Sequence, residues 1–265
     1  MVMRTPKHWI RSAAVAMVMA MAATGVASAS ESGILSARAQ RSFDNGKFAK
    51  GYGQLERALL ASRKEANLYA EGRILIGMAQ IRTLSLDYAL ADSLLSVVRT
   101  EELDKNSKVQ FAKAKVALDV AQANYRDAVN LCKAIKEDVL KKADETTQAA
   151  FYGECAVALA SVNQTSSVKD FMEMAAKRSD KKGGFYIYTQ ARVADHQGKS
   201  EADSLYRAAE KKAIQGNKPY LTATILYYRS QLRSTSAEDR KDLKIRCQNA
   251  FELMGLPNNA KRCAE

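Results

Sequence analysis

The sequence has few of the residues that interrupt helices. Among 265 residues there are only three prolines and 13 glycines. β-Rich domains of this size usually carry many turn residues of these types. The long stretches without proline are rich in Ala, Leu, Lys, Glu, Gln and Arg, which are strong helix formers. We therefore predict an all-α fold without a sheet.

Residues and motifs that support catalysis are also scarce. The chain holds two histidines, His8 and His196, and it lacks the H-E-x-x-H, G-x-S-x-G and G-x-x-x-x-G-K-[ST] motifs. The glycines of Gly51-Tyr52-Gly53 begin a dinucleotide fingerprint but lack its third glycine. We therefore expect no enzyme, with no catalytic residue, no metal site and no cofactor. His196 lies at a predicted helix end, where a histidine commonly caps the helix or faces solvent.

The N-terminus has the layout of a secretory signal peptide. Its first stretch is basic and contains no acidic residue, with positive charges at Arg4, Lys7 and Arg11. Residues 13–26 are an uncharged run of Ala, Val and Met, shorter than the ~20 residues that span a bilayer. Ala27-Ser28-Ala29 then supplies small residues for cleavage. We predict that residues 1–29 are removed and that the protein is periplasmic or extracellular, without a transmembrane segment. An uncleaved N-terminal anchor is the alternative.

Short polar breaks divide residues 30–265 into about twelve helices, which we interpret as one helical-repeat domain. Short loops make consecutive helices antiparallel neighbours. The sequence therefore predicts about six antiparallel hairpins. Their first helices fall near 33–45, 66–83, 107–123, 145–162, 184–196 and 219–233. Their second helices fall near 48–63, 87–103, 126–142, 167–180, 199–215 and 237–254.

The second helices share a pattern in which an aromatic residue is followed by a small residue and two apolar residues. It occurs in three hairpins, as Phe48, Gly51, Leu55 and Ala58, as Tyr88, Ala91, Leu95 and Val98, and as Tyr125, Ala128, Cys132 and Ile135. At these residues the chain resembles the tetratricopeptide (TPR) family, whose repeats are helical hairpins of about 34 residues. The resemblance implies an α-solenoid with a concave face that holds extended partners. A generic α-solenoid or an irregular helical domain is the alternative.

The four cysteines permit three pairings, and exported chains commonly form disulfides. Residues at equal distances from a hairpin turn lie side by side. Cys132 and Cys155 are centred on the predicted turn at 142–144, whereas Cys247 and Cys263 are centred on Gly255 in a helix-stop sequence. We therefore predict the disulfides Cys132–Cys155 and Cys247–Cys263. Free buried thiols are the alternative.

Positive charge exceeds negative charge after the predicted cleavage, with 38 Lys and Arg (41 minus 3) against 29 Asp and Glu. Several basic clusters lie at helix C-termini, where cations complement the helix dipole. Solvated helix ends are one interpretation, and attraction to an anionic envelope polymer or lipid headgroup is the other. Export disfavours nucleic acid as a partner.

Tyrosines concentrate on the predicted first helices of the later hairpins, which line the concave face in TPR-like arrays. The resemblance implies a partner-binding set there, consisting of Tyr152, Tyr186, Tyr188, Arg192, Tyr227, Tyr228 and Arg229. The alternative is that most of these tyrosines fill the core.

The sequence thus favours an exported, non-catalytic scaffold that binds another envelope or secreted protein. Its partner is expected to lie as an extended segment in the concave groove. A glycan-binding or glycan-cleaving accessory protein and a purely structural component are the alternatives.

Overall fold

The structure is a computed structural model that describes residues 30–265. The predicted signal peptide, residues 1–29, lies outside the described residues. The described part contains 14 α-helices, one short 3-10 helix at Thr100–Glu102 and no strand, which confirms the all-α prediction. The α-helices are α1 Glu31–Asp44, α2 Phe48–Lys64, α3 Leu68–Leu84, α4 Tyr88–Ser96, α5 Lys105–Ala121, α6 Tyr125–Ala134, α7 Glu137–Leu140, α8 Glu145–Ser161, α9 Thr165–Lys177, α10 Gly184–His196, α11 Ala202–Gln215, α12 Pro219–Gln231, α13 Ala237–Leu253 and α14 Pro257–Ala264.

Two of the predicted second helices are shorter in the structure. The helix expected over 87–103 ends at Ser96, and the helix expected over 126–142 is interrupted where Ile135 and Lys136 are extended. Neither break contains glycine or proline. Each is followed by a leucine, Leu103 or Leu140, whose side chain is buried. We attribute both interruptions to the burial of these leucines, because tertiary packing can override local helix propensity. Local sequence patterns do not reveal this cause.

Most of the turns between consecutive helices share one backbone motif. At eight turns a residue with positive φ follows the helix, and the next residue donates its N–H to the carbonyl five positions earlier, as in a Schellman motif. Asn67 N–H, for example, donates to the Ser62 carbonyl over 2.9 Å. Only three of these eight positions are glycine, and Ala66, Leu86 and Ala123 are among the others. The tight turns keep consecutive helices antiparallel.

The helical array curls until its first and last helices meet. The Phe48 ring of α2 lies 5.3 Å from the Tyr220 ring of α12. The Leu84 carbonyl at the end of α3 accepts hydrogen bonds from the Tyr220 hydroxyl and from the Asn259 amide, both over 2.9 Å. One continuous buried cluster accordingly contains apolar residues from α1–α3 and from α12–α14. The concave side is thereby closed into a cavity.

Both cysteine pairs lie at disulfide distance and are buried. Cys132 of α6 pairs with Cys155 of α8, with a Cα–Cα distance of 5.7 Å. Cys247 of α13 pairs with Cys263 of α14, with a Cα–Cα distance of 5.9 Å. These are the two pairs that the sequence predicted. The second pair joins the short terminal helix α14 to the array.

Over residues 30–265, none of the helices combines the length and the apolar character needed to cross a membrane.

Candidate functional site

A cavity of about 330 Å³ occupies the inner side of the curled array. Its walls come mainly from α3, α5, α8, α10 and α12, which are the first helices of their hairpins, and from α14. Its aromatic lining consists of Tyr88, Tyr125, Tyr188, Tyr220, Tyr227, Tyr228 and Phe251. This volume is at the lower end of the range of small-molecule sites in proteins. We refer to it as the tyrosine cavity.

Small side chains on α5 leave the space that the tyrosines surround. Ala117 and Ala121 line the cavity, and Ala123 lies at the turn that follows α5. Ala121 and Ala123 are exposed, so the cavity opens to solvent beside this turn. A second cavity of about 50 Å³ shares Ala117 and Glu154 with the first and extends toward Lys113. The inner side therefore has a mouth at the α5–α6 turn and a buried floor.

The floor of the tyrosine cavity holds a buried ion pair. Arg192 Nη1 donates to both carboxylate oxygens of Glu154, over 3.1 and 3.0 Å, and the two side chains are only 8% and 9% exposed. Burial lowers the pKa of Arg192, but Glu154 and the neighbouring tyrosines together more than offset this effect, so the pKa is raised. Arg192 Nε is buried and has no hydrogen-bond partner. The floor therefore holds one buried donor without a partner.

Arg262 on α14 supplies a second guanidinium group. It lies over the Tyr227 ring, with Cζ 4.1 Å from the ring centroid. Among the described residues no carboxylate forms an ion pair with it. Since Glu154 and Arg192 offset each other, Arg262 gives the cavity a net charge of about +1 at neutral pH.

Four of the tyrosine hydroxyls in the cavity remain protonated at neutral pH. Burial raises the pKa of Tyr88, Tyr125, Tyr188 and Tyr220 above the ordinary value for tyrosine. The hydroxyl of Tyr220 donates to the Leu84 carbonyl, whereas those of Tyr88 and Tyr188 have no hydrogen-bond partner within residues 30–265. They can donate to an acceptor that enters the cavity.

His196 lines the tyrosine cavity instead of facing solvent. Its ring is half-buried and packs edge-on against the Tyr125 ring, with centroids 5.6 Å apart. Burial, and then the positive charge of Arg192, lowers the pKa of His196 to about 4. The imidazole is therefore neutral at pH 7.

Lys113 is a buried cation beside the floor. Its side chain lines the smaller cavity together with Glu154 and makes no ion pair within the described part of the chain. Burial lowers its pKa, and the charge of Glu154 acts in the opposite direction. Glu154 thus faces two cations, Arg192 and Lys113.

The structure brings together four of the seven residues predicted to bind a partner. Tyr188, Arg192, Tyr227 and Tyr228 all line the tyrosine cavity. The other three point elsewhere. Tyr152 packs against Phe171 of α9, Tyr186 lines an outer groove between α9 and α11, and Arg229 is buried in ion pairs with Asp203 and Glu210.

Other residues of the cavity were not singled out from the sequence. Tyr88 and Tyr125 are the aromatics that open the repeated second-helix pattern, so the pattern itself could have indicated them. Arg262 belongs to a basic pair near the C-terminus, and nothing local distinguishes it from the other basic clusters. Its role depends on the return of α14 to the inner side, which the sequence does not show.

In a search against protein-family models and against curated proteins, no family and no curated sequence matched this chain.

Proposed function

We propose that this chain is an exported, non-catalytic helical-repeat protein that acts as an interaction module in the cell envelope. The observation that carries the proposal is the convergence of six tyrosines and two arginines on one solvent-accessible cavity. The partner is another envelope or secreted protein. Since the array closes on itself, the partner inserts a small part of an extended segment through the mouth near Ala123.

The chemistry of the cavity supports binding more than catalysis. Its carboxylate, Glu154, is held by Arg192, and its imidazole, His196, has a pKa of about 4. A general base at neutral pH works best with a pKa near 7. No group of three potential metal-ligating side chains occurs in residues 30–265.

The second candidate is an accessory protein that binds or cleaves an envelope glycan. It is favoured by the presence of several tyrosine rings and a carboxylate in one cavity. Attraction of the basic helix ends to an anionic envelope polymer remains a separate proposal, which rests on the excess of Lys and Arg.

The experiment is a pull-down from an envelope fraction with matched variants. Ala117→Phe places a ring in the cavity, whereas Tyr186→Ala removes a tyrosine from α10 that lines the outer groove. We expect one dominant protein partner with the wild type and with Tyr186→Ala, and loss of that partner with Ala117→Phe. Thermal melts establish that both variants are folded.

Two results would contradict the proposal. Retention of the wild type on purified cell-wall glycan, with no protein partner, favours the glycan candidate. Capture of the same partner by Ala117→Phe places the binding surface outside the cavity. N-terminal sequencing of the exported protein tests the export step, for which we expect Ser30 as the first residue; an intact Met1 in the exported fraction contradicts it.

A further inference from the structure

The unpaired polar atoms of the tyrosine cavity are mostly hydrogen-bond donors. Arg262 interacts with Tyr227 but has no carboxylate partner in the described chain, and Nε of the buried Arg192 has no hydrogen bond. The hydroxyls of Tyr88 and Tyr188 are free to donate as well. A buried donor without a partner costs free energy until an acceptor reaches it. The cavity is thus suited to an acceptor, and the charge of Arg262 favours an anionic one.

The charges in the cavity favour a single negative charge on the ligand. Among the residues that line the tyrosine cavity, Glu154 offsets Arg192 and only the charge of Arg262 is uncompensated, whereas Lys113 lines the smaller cavity. A phosphate monoester carries about −1.5 to −2 at neutral pH, and its second charge would find no further cation in the lining of the tyrosine cavity. A carboxylate carries one charge and accepts hydrogen bonds from both guanidinium and hydroxyl groups.

One buried atom in the cavity is an unpaired acceptor. Asn259 is only 5% exposed and its Oδ1 has no partner, while its Nδ2 donates to the Leu84 carbonyl. Because the Leu84 carbonyl can only accept a hydrogen bond, Nδ2 of Asn259 must face it, and this fixes the orientation of the Asn259 side-chain amide. Asn259 precedes Arg262 by three residues on α14, so the two side chains are neighbours on one helix face. A ligand that places its carboxylate at Arg262 would satisfy Oδ1 with an adjacent N–H or O–H group.

The remaining lining of the cavity is aromatic and apolar. The rings of Tyr227 and Tyr228 pack against each other with centroids 5.4 Å apart, and Phe251 and Leu86 complete this part of the wall. A ligand body that covers these rings is apolar or aromatic. The volume of about 330 Å³ limits its size to that of a small molecule or the end of a chain.

We propose that the tyrosine cavity binds a small amphipathic acid with one carboxylate, one hydrogen-bond donor close to it, and an aromatic or apolar body. The carboxylate lies at Arg262, the donor at Asn259 Oδ1, and the body against the tyrosine rings. This inference rests on the proposed function, because both assign the cavity as the binding site. A free acid and the end of a partner chain both have this chemistry.

Isothermal titration calorimetry with N-acetylphenylalanine tests the inference on the purified protein. This probe carries the carboxylate, the N–H group and a ring, whereas its amide lacks the charge and 3-phenylpropionate lacks the N–H group. We expect each of the two analogues to bind at least about tenfold more weakly, since each loses a hydrogen bond to a buried or charged group. Phenyl phosphate is expected to bind more weakly than the carboxylate probe.

Matched variants locate the site. Arg262→Gln should weaken binding of N-acetylphenylalanine at least about tenfold, and Ala117→Phe should abolish it. Lys261→Gln removes an equal charge from the adjacent exposed position, which does not line the cavity, and should bind as the wild type does. A longer peptide that ends in phenylalanine distinguishes the two sources of the acid. If it binds as tightly as the probe, the acid is the end of a partner chain, and if it does not bind, the acid is a free molecule; both results support the proposal.

Equal binding of the acid and its amide, equal effects of Arg262→Gln and Lys261→Gln, or tighter binding of phenyl phosphate would each overturn the inference. So would a Kd weaker than about 1 mM for N-acetylphenylalanine. The proposed function can hold when this inference fails. If Ala117→Phe removes the protein partner but the acid does not bind, only the assigned ligand chemistry is wrong.

Discussion

Replacement of Glu154 by glutamine should destabilise the protein more than replacement of its ion-pair partner Arg192 by methionine. Both side chains are about nine-tenths buried, so a change to one leaves the other without its counter-charge in a poorly solvated site. Removal of one partner of a buried pair typically costs about 3–5 kcal/mol. Glutamine retains an acceptor for Arg192 Nη1, which places Glu154→Gln near the lower end, at about 3 kcal/mol.

Lys113 is the reason for the asymmetry. In Glu154→Gln the buried Arg192 and Lys113 both lose the negative charge that offsets their burial. In Arg192→Met the carboxylate of Glu154 still faces Lys113, so we expect a smaller loss of about 2 kcal/mol. Addition of Lys113→Met to Glu154→Gln should recover about 1 kcal/mol, because it removes one of the two uncompensated cations.

Thermal unfolding monitored by circular dichroism measures these differences. For a chain of this size 1 kcal/mol corresponds to about 2–4 °C in Tm, so Glu154→Gln should lower Tm by about 6–12 °C. The exposed Glu137, which pairs with the exposed Lys141, supplies a control variant, Glu137→Gln, whose Tm should be unchanged. A cost for Arg192→Met equal to or larger than that for Glu154→Gln would refute the role of Lys113. Additive costs of Glu154→Gln and Arg192→Met in a variant that combines them would refute coupling between Glu154 and Arg192.

Three further predictions follow from other parts of the structure. His196 has a folded pKa of about 4, below its ordinary 6.5, so its contribution to stability is complete above pH 6.5 and is lost as the pH falls toward 4. In urea titrations at pH 7 and pH 4.5, His196→Gln should reduce this loss by about 1–2 kcal/mol, given the half-exposed ring; an identical pH dependence in both proteins would contradict the assignment. Ala66 has φ of 50° in a Schellman turn, and Ala66→Gly should raise stability by about 0.5–1 kcal/mol, whereas Ala208→Gly inside α11 should lower it by about 1 kcal/mol; a lower Tm for Ala66→Gly would argue against the strained turn. Removal of the Cys247–Cys263 disulfide by paired serine substitutions should cost about 3 kcal/mol and weaken N-acetylphenylalanine binding at least about tenfold, because α14 carries Arg262 and Asn259. The same substitutions at Cys132 and Cys155 should leave binding intact, and loss of binding in both pairs would show a general loss of fold.

The helices and the turns between them were accessible from the sequence because their signals are local. The first helix predicted at 184–196 coincides with α10, and the helix predicted at 48–63 differs from α2 by one residue. The cysteine pairing was accessible for the same reason, since equal distance from a turn places two residues side by side in an antiparallel hairpin. The breaks after Ser96 and at Ile135 were not accessible, because they depend on leucines that pack against other helices.

The candidate site was only partly predictable. Tyr188, Arg192, Tyr227 and Tyr228 could be chosen because tyrosines and arginines recur on the first helices of the later hairpins. The same reasoning included Arg229, which lies one residue beyond Tyr228 and therefore about 100° around the helix, in ion pairs on another face. The local sequence pattern places a residue on a helix, but the helices that pack against it decide which of its faces lines the cavity.

The sequence by itself determined that the described chain is helical, where most hairpins turn and how the cysteines pair. Each of these properties is set by residues within about two helices of one another. Only the tertiary structure decided that the array closes on itself, because the contacts that close it join the Leu84 carbonyl to Tyr220 and Asn259, 136 and 175 residues away. The direction and extent of curling result from small rotations between successive hairpins, which accumulate along the array. Helical periodicity shows that a face is buried, but it does not show which distant helix covers that face, and the tyrosine cavity exists because α12 and α14 return to α3.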